Sequence, residues 1–171
     1  MSQRPRVTLE PLEPGIVVLQ LQDLEGKNAF SEAFVEELLA CLDRLDRDEE
    51  ARVCLVRGLE DVFCAGAPRD LLLRLADGEV APTDIVLSQR MLELPVPAIA
   101  AMEGHATGGG LALGLCCDVV FLARESSYGC SFMNLGFTPG MGITSLLEEA
   151  VGPYLAREMM LGGQYLRGSR L

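Results

Sequence analysis

Residues 97–110 read Pro97-Ala98-Ile99-Ala100-Ala101-Met102-Glu103-Gly104-His105-Ala106-Thr107-Gly108-Gly109-Gly110, and Leu111 to Cys117 follow as a mostly apolar run. Ala98 to Met102 is an uninterrupted apolar stretch between Pro97 and Gly104, which predicts a buried strand. Gly104 to Gly110 is glycine-rich, and Leu111 to Cys117 can continue as a helix. A strand that passes through glycines into a helix is a unit of α/β architecture. Glycines there open the backbone N–H groups to close approach. A helix N-terminus adds positive potential suited to an anion or a developing oxyanion. The turn is not G-x-G-x-x-G and no G-K-[ST] occurs, so a nucleotide site is weakly supported. A purely structural close contact remains the alternative on this chemistry alone.

Outward from this stretch the alternation continues. Val7 to Leu12 and Ile16 to Leu21 predict two strands around Glu13-Pro14-Gly15. Ser31 is a plausible N-cap for a helix to about Asp46, striped by Phe34, Val35, Leu38, Leu39, Leu42 and Leu45. Val53 to Val56 and Val119 to Ala123 predict buried strands. Asp70 to Ala76, Asp84 to Leu94, Thr144 to Val151 and Tyr154 to Leu161 predict helices. Phe63 to Ala67 reads as a turn, and Gly136 to Gly142 as a loop.

Composition narrows the class. The 171 residues suit a single domain over 1–171, and 49% hydrophobic with 23% charged residues is too apolar for disorder. A net charge of −11 argues against nucleic acid or an anionic membrane as partner. No uninterrupted apolar window is long enough to span a bilayer, and Met1 to Arg6 opens no signal peptide, so a cytoplasmic location is expected. The six cysteines form no C-x-x-C pair and His105 is the only histidine, so buried free thiols are expected and no metal. Lys27 is the only lysine among 14 basic residues.

A second small-residue turn, Cys64-Ala65-Gly66-Ala67, follows the strand at Val53. Two such turns aimed at one carbonyl oxygen would make a two-donor oxyanion hole. Here a resemblance enters. Asp61-Val62-Phe63-Cys64-Ala65-Gly66-Ala67 and Pro97 to Gly110 resemble the two signatures of the crotonase (enoyl-CoA hydratase/isomerase) superfamily. Lys27-Asn28-Ala29-Phe30, Cys117-Asp118 and Gly136-Phe137-Thr138-Pro139-Gly140 resemble its further elements, in order. The resemblance implies a crotonase-like spiral of ββα units and an acyl thioester substrate on coenzyme A or carrier-protein phosphopantetheine, with no other cofactor. It places the oxyanion donors at the N–H groups of Ala67 and Gly109. The thioester arm would pass Ala65, Gly66, Pro68, Arg69 and Asp70, near Ala29, with Gly108, Gly110 and Phe132 lining the site.

Hydratases of this family use two glutamates, at positions where this chain has Ala112 and Phe132. Neither moves a proton, and hydration needs a general acid and base. Decarboxylation needs neither to start, because the leaving CO₂ delivers electrons into the thioester. The chain is similar, through Gly104-His105, Arg124 to Tyr128, Phe132-Met133-Asn134, Gly136 to Gly142 and Tyr165 to Gly168, to the crotonase-like decarboxylases of polyketide β-branching cassettes. These act on a 3-methylglutaconyl group carried by an acyl carrier protein, which implies that partner. Some members place a tyrosine and a lysine where this chain has Leu71 and Leu75; Arg69 or Arg74 could then meet the substrate carboxylate or the carrier, with solvated surface arginines as the alternative. Members also continue into C-terminal helices that build a homotrimer or a dimer of trimers, a segment expected to be missing here. His105 is either catalytic or an orienter of its loop. Asp118 is expected to be a structural hydrogen-bonder, and Tyr128 and Tyr165 packing residues. An isomerase or hydratase-like enzyme, and a catalytically silent carrier-docking subunit, are the alternatives to a lyase.

Overall fold

The computed structural model describes residues 4–79 and 84–171. Strands β1 (Val7–Glu13) and β2 (Ile16–Leu21) form the expected hairpin, with Gly15 at φ +79° in the turn. A register shift between Pro11 and Glu13 absorbs the prolines at this edge. Helix α1 (Glu32–Leu45) is capped by the Ser31 hydroxyl, which accepts from the Phe34 N–H at 3.2 Å, and buries Phe34, Leu38, Cys41, Leu42 and Leu45. Strands β3 (Val53–Arg57), β5 (Ala98–Met102) and β7 (Val119–Leu122) add in parallel to β2, giving a five-stranded sheet in the order β1-β2-β3-β5-β7. Their inward residues include Cys54, Val56, Ala98, Ala100 and Met102, all buried. Asp118 ties the sheet's lower end, its Oδ2 accepting from the Ala98 N–H at 2.8 Å.

A second sheet carries the site. β4 (Val62–Cys64), β6 (His105–Thr107), β8 (Ser127–Gly129) and β9 (Tyr165–Arg167) pair in that order, the first three parallel and β9 antiparallel. The chain visits the large sheet, then the small one, then a helix, and repeats: β3, β4 and α2 (Arg69–Ala76) with α3 (Asp84–Leu92); β5, β6 and α4 (Gly109–Leu115); β7, β8 and then α5 (Ile143–Val151) with α6 (Pro153–Gly162). This is the spiral of ββα units that the resemblance implies. The three-residue strands are absent from the sequence reading, which has Phe63 to Ala67 and Gly104 to Gly110 as turns throughout. Three residues are too few for a period of two to register.

All six cysteines are buried and free. Tyr128 is buried as a packing residue; its hydroxyl donates to the Met102 carbonyl at 2.6 Å and accepts from the Ala123 N–H at 3.0 Å. Tyr165 lies across Gly129, where a Cβ would meet its ring at 2.6 Å. Among the described residues no helix is long and apolar enough to cross a membrane, and no cluster of His, Cys, Asp or Glu could hold a metal ion.

Candidate active site

β4 and β6 are parallel neighbours, with Val62 opposite His105 and Cys64 opposite Ala106, so the turns that follow them leave the same end of the small sheet. After β4 the chain turns at Gly66, φ +75°, and reaches Ala67 and then Pro68, the N-cap of α2. After β6 it turns at Gly108, φ +54°, and enters α4 at Gly109. The two turns touch. A Cβ on Gly66 would stand 2.4 Å from the Thr107 carbonyl oxygen and 3.3 Å from the Gly109 nitrogen. A Cβ on Gly110 would stand 2.1 Å from the Cys64 carbonyl oxygen. The approaches of 2.4 Å and 2.1 Å lie well inside van der Waals contact, so the absence of side chains at Gly66 and Gly110 is what lets the turns meet.

The N–H groups of Ala67 and Gly109 have no hydrogen-bond acceptor among the described residues, whereas the neighbouring Gly108 N–H donates to Gly129 O at 2.8 Å. Gly109 opens a helix, where the first N–H groups lack intrahelical partners. Two donors with no acceptor among the described residues therefore stand on turns in van der Waals contact.

The walls are apolar. The Phe132 ring lies against Gly108, its Cζ 3.5 Å from where a Cβ would be. Phe30 and Met141 close on Gly109, at 2.7 Å and 3.0 Å from its Cβ position. Met141 is buried and holds a left-handed φ of +56°, uncommon for a residue with a long side chain. Ala112 is fully buried one turn along α4. The side chains nearest Gly108 and Gly109 thus include no acid or base. Burial pushes the Cys64 thiol up to about 12, so it too stays neutral.

The remaining sequence candidates fall in different places. Ala29 bridges to Gly66, and the Phe30 N–H donates to Gly66 O at 2.9 Å, so that element abuts the first turn. Arg69 and Asp70 open α2 and are exposed. Arg74 is engaged: its guanidinium lies 3.9 Å from a Glu32 carboxylate oxygen and 3.7 Å from one of Glu79. His105 starts β6, at the end away from Gly108, and about 10 Å along a strand separates the two. Its ring is exposed and its Nδ1 accepts from the Ser127 N–H at 2.9 Å, the orienting arrangement. The structure therefore does not bring His105 to the glycine turns. Met133 is exposed, and the Asn134 amide donates to Gly163 O at 3.0 Å, tying its turn to the end of α6. Sequence alone leaves Met141 open between pocket wall and core filler; the signal it offers is a long side chain between Gly140 and Gly142.

The sequence profile of the enoyl-CoA hydratase/isomerase family matches residues 12–170. Bacillaene synthase decarboxylase PksI of Bacillus subtilis is 36% identical over 165 residues, covering 96% of this chain and 66% of that protein. Mitochondrial methylglutaconyl-CoA hydratase of Homo sapiens is 35% identical over 165 residues, covering 94% of this chain and 48% of that protein. The ECH2 decarboxylase domain of CurF from Lyngbya majuscula superposes with a TM-score of 0.91 at 38% identity, over 96% of this chain and 67% of that one. A structure from a dehydratase/decarboxylase couple involved in polyketide β-branching gives 0.92 at 36% identity, over 96% and 67%. This chain spans 48–66% of the length of the two curated relatives. With paired glycine turns on parallel strands of the small sheet, and this match over nearly its whole length, the chain belongs to the enoyl-CoA hydratase/isomerase family.

Proposed function

We propose that this chain is a crotonase-type decarboxylase that acts on a 3-methylglutaconyl-type acyl thioester on an acyl carrier protein, in polyketide β-branching. The observation that carries the reading is two N–H groups, of Ala67 and Gly109, that have no acceptor among the described residues and stand beside apolar walls at Phe30, Phe132 and Met141. Decarboxylation breaks the bond between the substrate's carboxylate and its carbon chain. CO₂ leaves, the bonding pair moves through the conjugated system onto the thioester oxygen, and one proton from solvent then replaces CO₂ on carbon. The two N–H groups hold the oxygen as it gains charge. A protein carboxylate beside the glycines would repel the substrate's own, and Phe132 and Ala112 supply none. Relatives whose names carry decarboxylase support the reaction class, and one named for methylglutaconyl-CoA supports the acyl group. Ala65 to Asp70 and Ala29 would flank the thioester arm. Arg69, exposed and without an ion pair among the described residues, would meet the carboxylate or an acidic carrier better than Arg74, which is paired. A trimeric assembly belongs to the same proposal.

The test is intact mass spectrometry of a carrier protein loaded with 3-methylglutaconyl, with and without the chain. Loss of one CO₂ is expected. Gain of one water with no loss of CO₂ would make the chain a hydratase-like enzyme, and binding of the carrier with neither a mass change nor a shift of the double bond would leave a docking subunit.

A further inference from the structure

Asn28 is fully buried, although Glu25, Gly26 and Lys27 just before it are exposed. Its backbone is left-handed at φ +55°, after Lys27 at φ +51°. Asparagine tolerates that region better than most side chains. Its side-chain amide donates to Leu21 O at 3.2 Å and to Phe63 O at 2.9 Å, and its Oδ1 accepts from the Asp23 N–H at 2.8 Å. Its own carbonyl accepts from the Cys64 thiol at 2.9 Å. The residues around it complete the seam: Lys27 O accepts from the Ala65 N–H at 3.1 Å, and the Phe30 N–H donates to Gly66 O at 2.9 Å. Every residue from Phe63 to Gly66 is thereby fastened to 27–30. The next N–H along the chain is that of Ala67, which has no acceptor among the described residues.

We infer that Asn28 is a positioning residue: it fixes the end of β4 so that the Ala67 N–H stays aimed at the thioester oxygen. The inference rests on the oxyanion reading of the two turns. A donor fixed before the reaction stabilises developing charge without reorganising. A donor free to drift loses part of that benefit, so the loss expected from untying Asn28 is on the order of tenfold, below the roughly 10²–10³-fold for deleting a donor outright.

The test uses a para-dimethylaminocinnamoyl coenzyme A thioester, whose absorption band moves to longer wavelength as its carbonyl oxygen is polarised by hydrogen bonds. Asn28→Asp keeps the shape but turns an acceptor towards the Leu21 and Phe63 carbonyls. Asn28→Gly keeps the left-handed backbone and deletes the tethers. Both are expected to lose at least half of the wild-type band shift while Kd for the probe changes less than threefold. Ser126→Ala is the comparator; it deletes a partly buried bond to Glu103 O at 2.6 Å, at the opposite end of the small sheet, and should lower Tm without reducing the shift. A full band shift in both Asn28 variants, or a loss matched by Ser126→Ala, would overturn the inference. If neither Asn28 variant folds, Asn28→Ser, which keeps a small polar side chain but cannot reach both the Leu21 and Phe63 carbonyls, takes their place, and an unchanged shift there overturns the inference equally. A wild-type chain that shifts the band not at all would instead remove the oxyanion reading itself.

Discussion

Substituting Gly110 by alanine puts the contact between the two turns under direct load. The added methyl would stand 2.1 Å from the Cys64 carbonyl oxygen, 2.7 Å from its carbonyl carbon and 2.9 Å from its Cβ. A carbon facing a carbonyl oxygen rests at roughly 3.3 Å or more, so α4 must back away from β4 by about 1 Å. Two effects compete. Alanine is the better helix former by about 1 kcal/mol. Overpacking against an atom that cannot rotate aside costs about 1–3 kcal/mol, and the nearest atoms are backbone. The clash is with backbone and wins at the upper end of that range, so a net loss of up to about 2 kcal/mol is expected, a fall in Tm of up to roughly 8 °C for a domain of this size. The same displacement separates the Gly109 N–H from that of Ala67, and about 1 Å of misplacement costs on the order of 10²-fold in turnover. Gly114→Ala, on the same helix, is the control. Its methyl would meet the Sδ and Cε of Met102, the movable end of a flexible side chain, at 2.5 Å and 2.9 Å. Thermal melts and carrier-thioester turnover on the three proteins decide the matter. The reasoning fails if Gly110→Ala melts at or above Gly114→Ala, or turns over at the wild-type rate.

Three further outcomes are expected. Phe132→Glu places a carboxylate against Gly108; at roughly 5 Å and an effective dielectric near 20, repulsion of the substrate carboxylate is about 3 kcal/mol, so decarboxylation should fall about 100-fold, and an undiminished rate would mean that the apolar wall is irrelevant to the chemistry. Ser31→Ala deletes the cap of α1 and should cost about 1 kcal/mol, read as a urea midpoint shift with unchanged slope; no shift would leave the Phe34 N–H bond without energetic weight. Burial raises the thiols of Cys54, Cys116 and Cys130 to about 11 and Cys64 to about 12, against an ordinary 9.0. The folded state therefore keeps these protons longer than the unfolded chain, so stability is full below pH 9 and is lost as pH rises from there towards 11–12. The slope is about 1.4 kcal/mol per pH unit for each thiol, and a Tm that stays level between pH 8 and 10.5 under reducing conditions would contradict it.

Much of the molecule is legible from residue order. Helix α1 is readable because its stripe from Phe34 to Leu45 keeps the helical period and Ser31 supplies a cap. The strands of the large sheet are readable because Pro97 and Gly104 bound an apolar run at β5, and β2 and β3 alternate or run apolar over five or six residues. The small sheet is not: β4, β6, β8 and β9 are three residues each, shorter than a pattern of alternation needs to declare itself. Chemistry divides in the same way. That Ala112 and Phe132 carry neither acid nor base is a matter of residue identity, and the glycine turns at Gly66 and Gly108 to Gly110 are visible as composition. That these turns meet, that Arg74 is paired while Arg69 is not, that His105 lies at the far end of β6, and that Asn28 ties the first turn all depend on residues distant in the chain. Local sequence sets which backbone shapes are cheap. Which N–H groups share one point in space is set by the pairing of β4 with β6 across more than forty residues, and by the close approach that Gly66 and Gly110 permit.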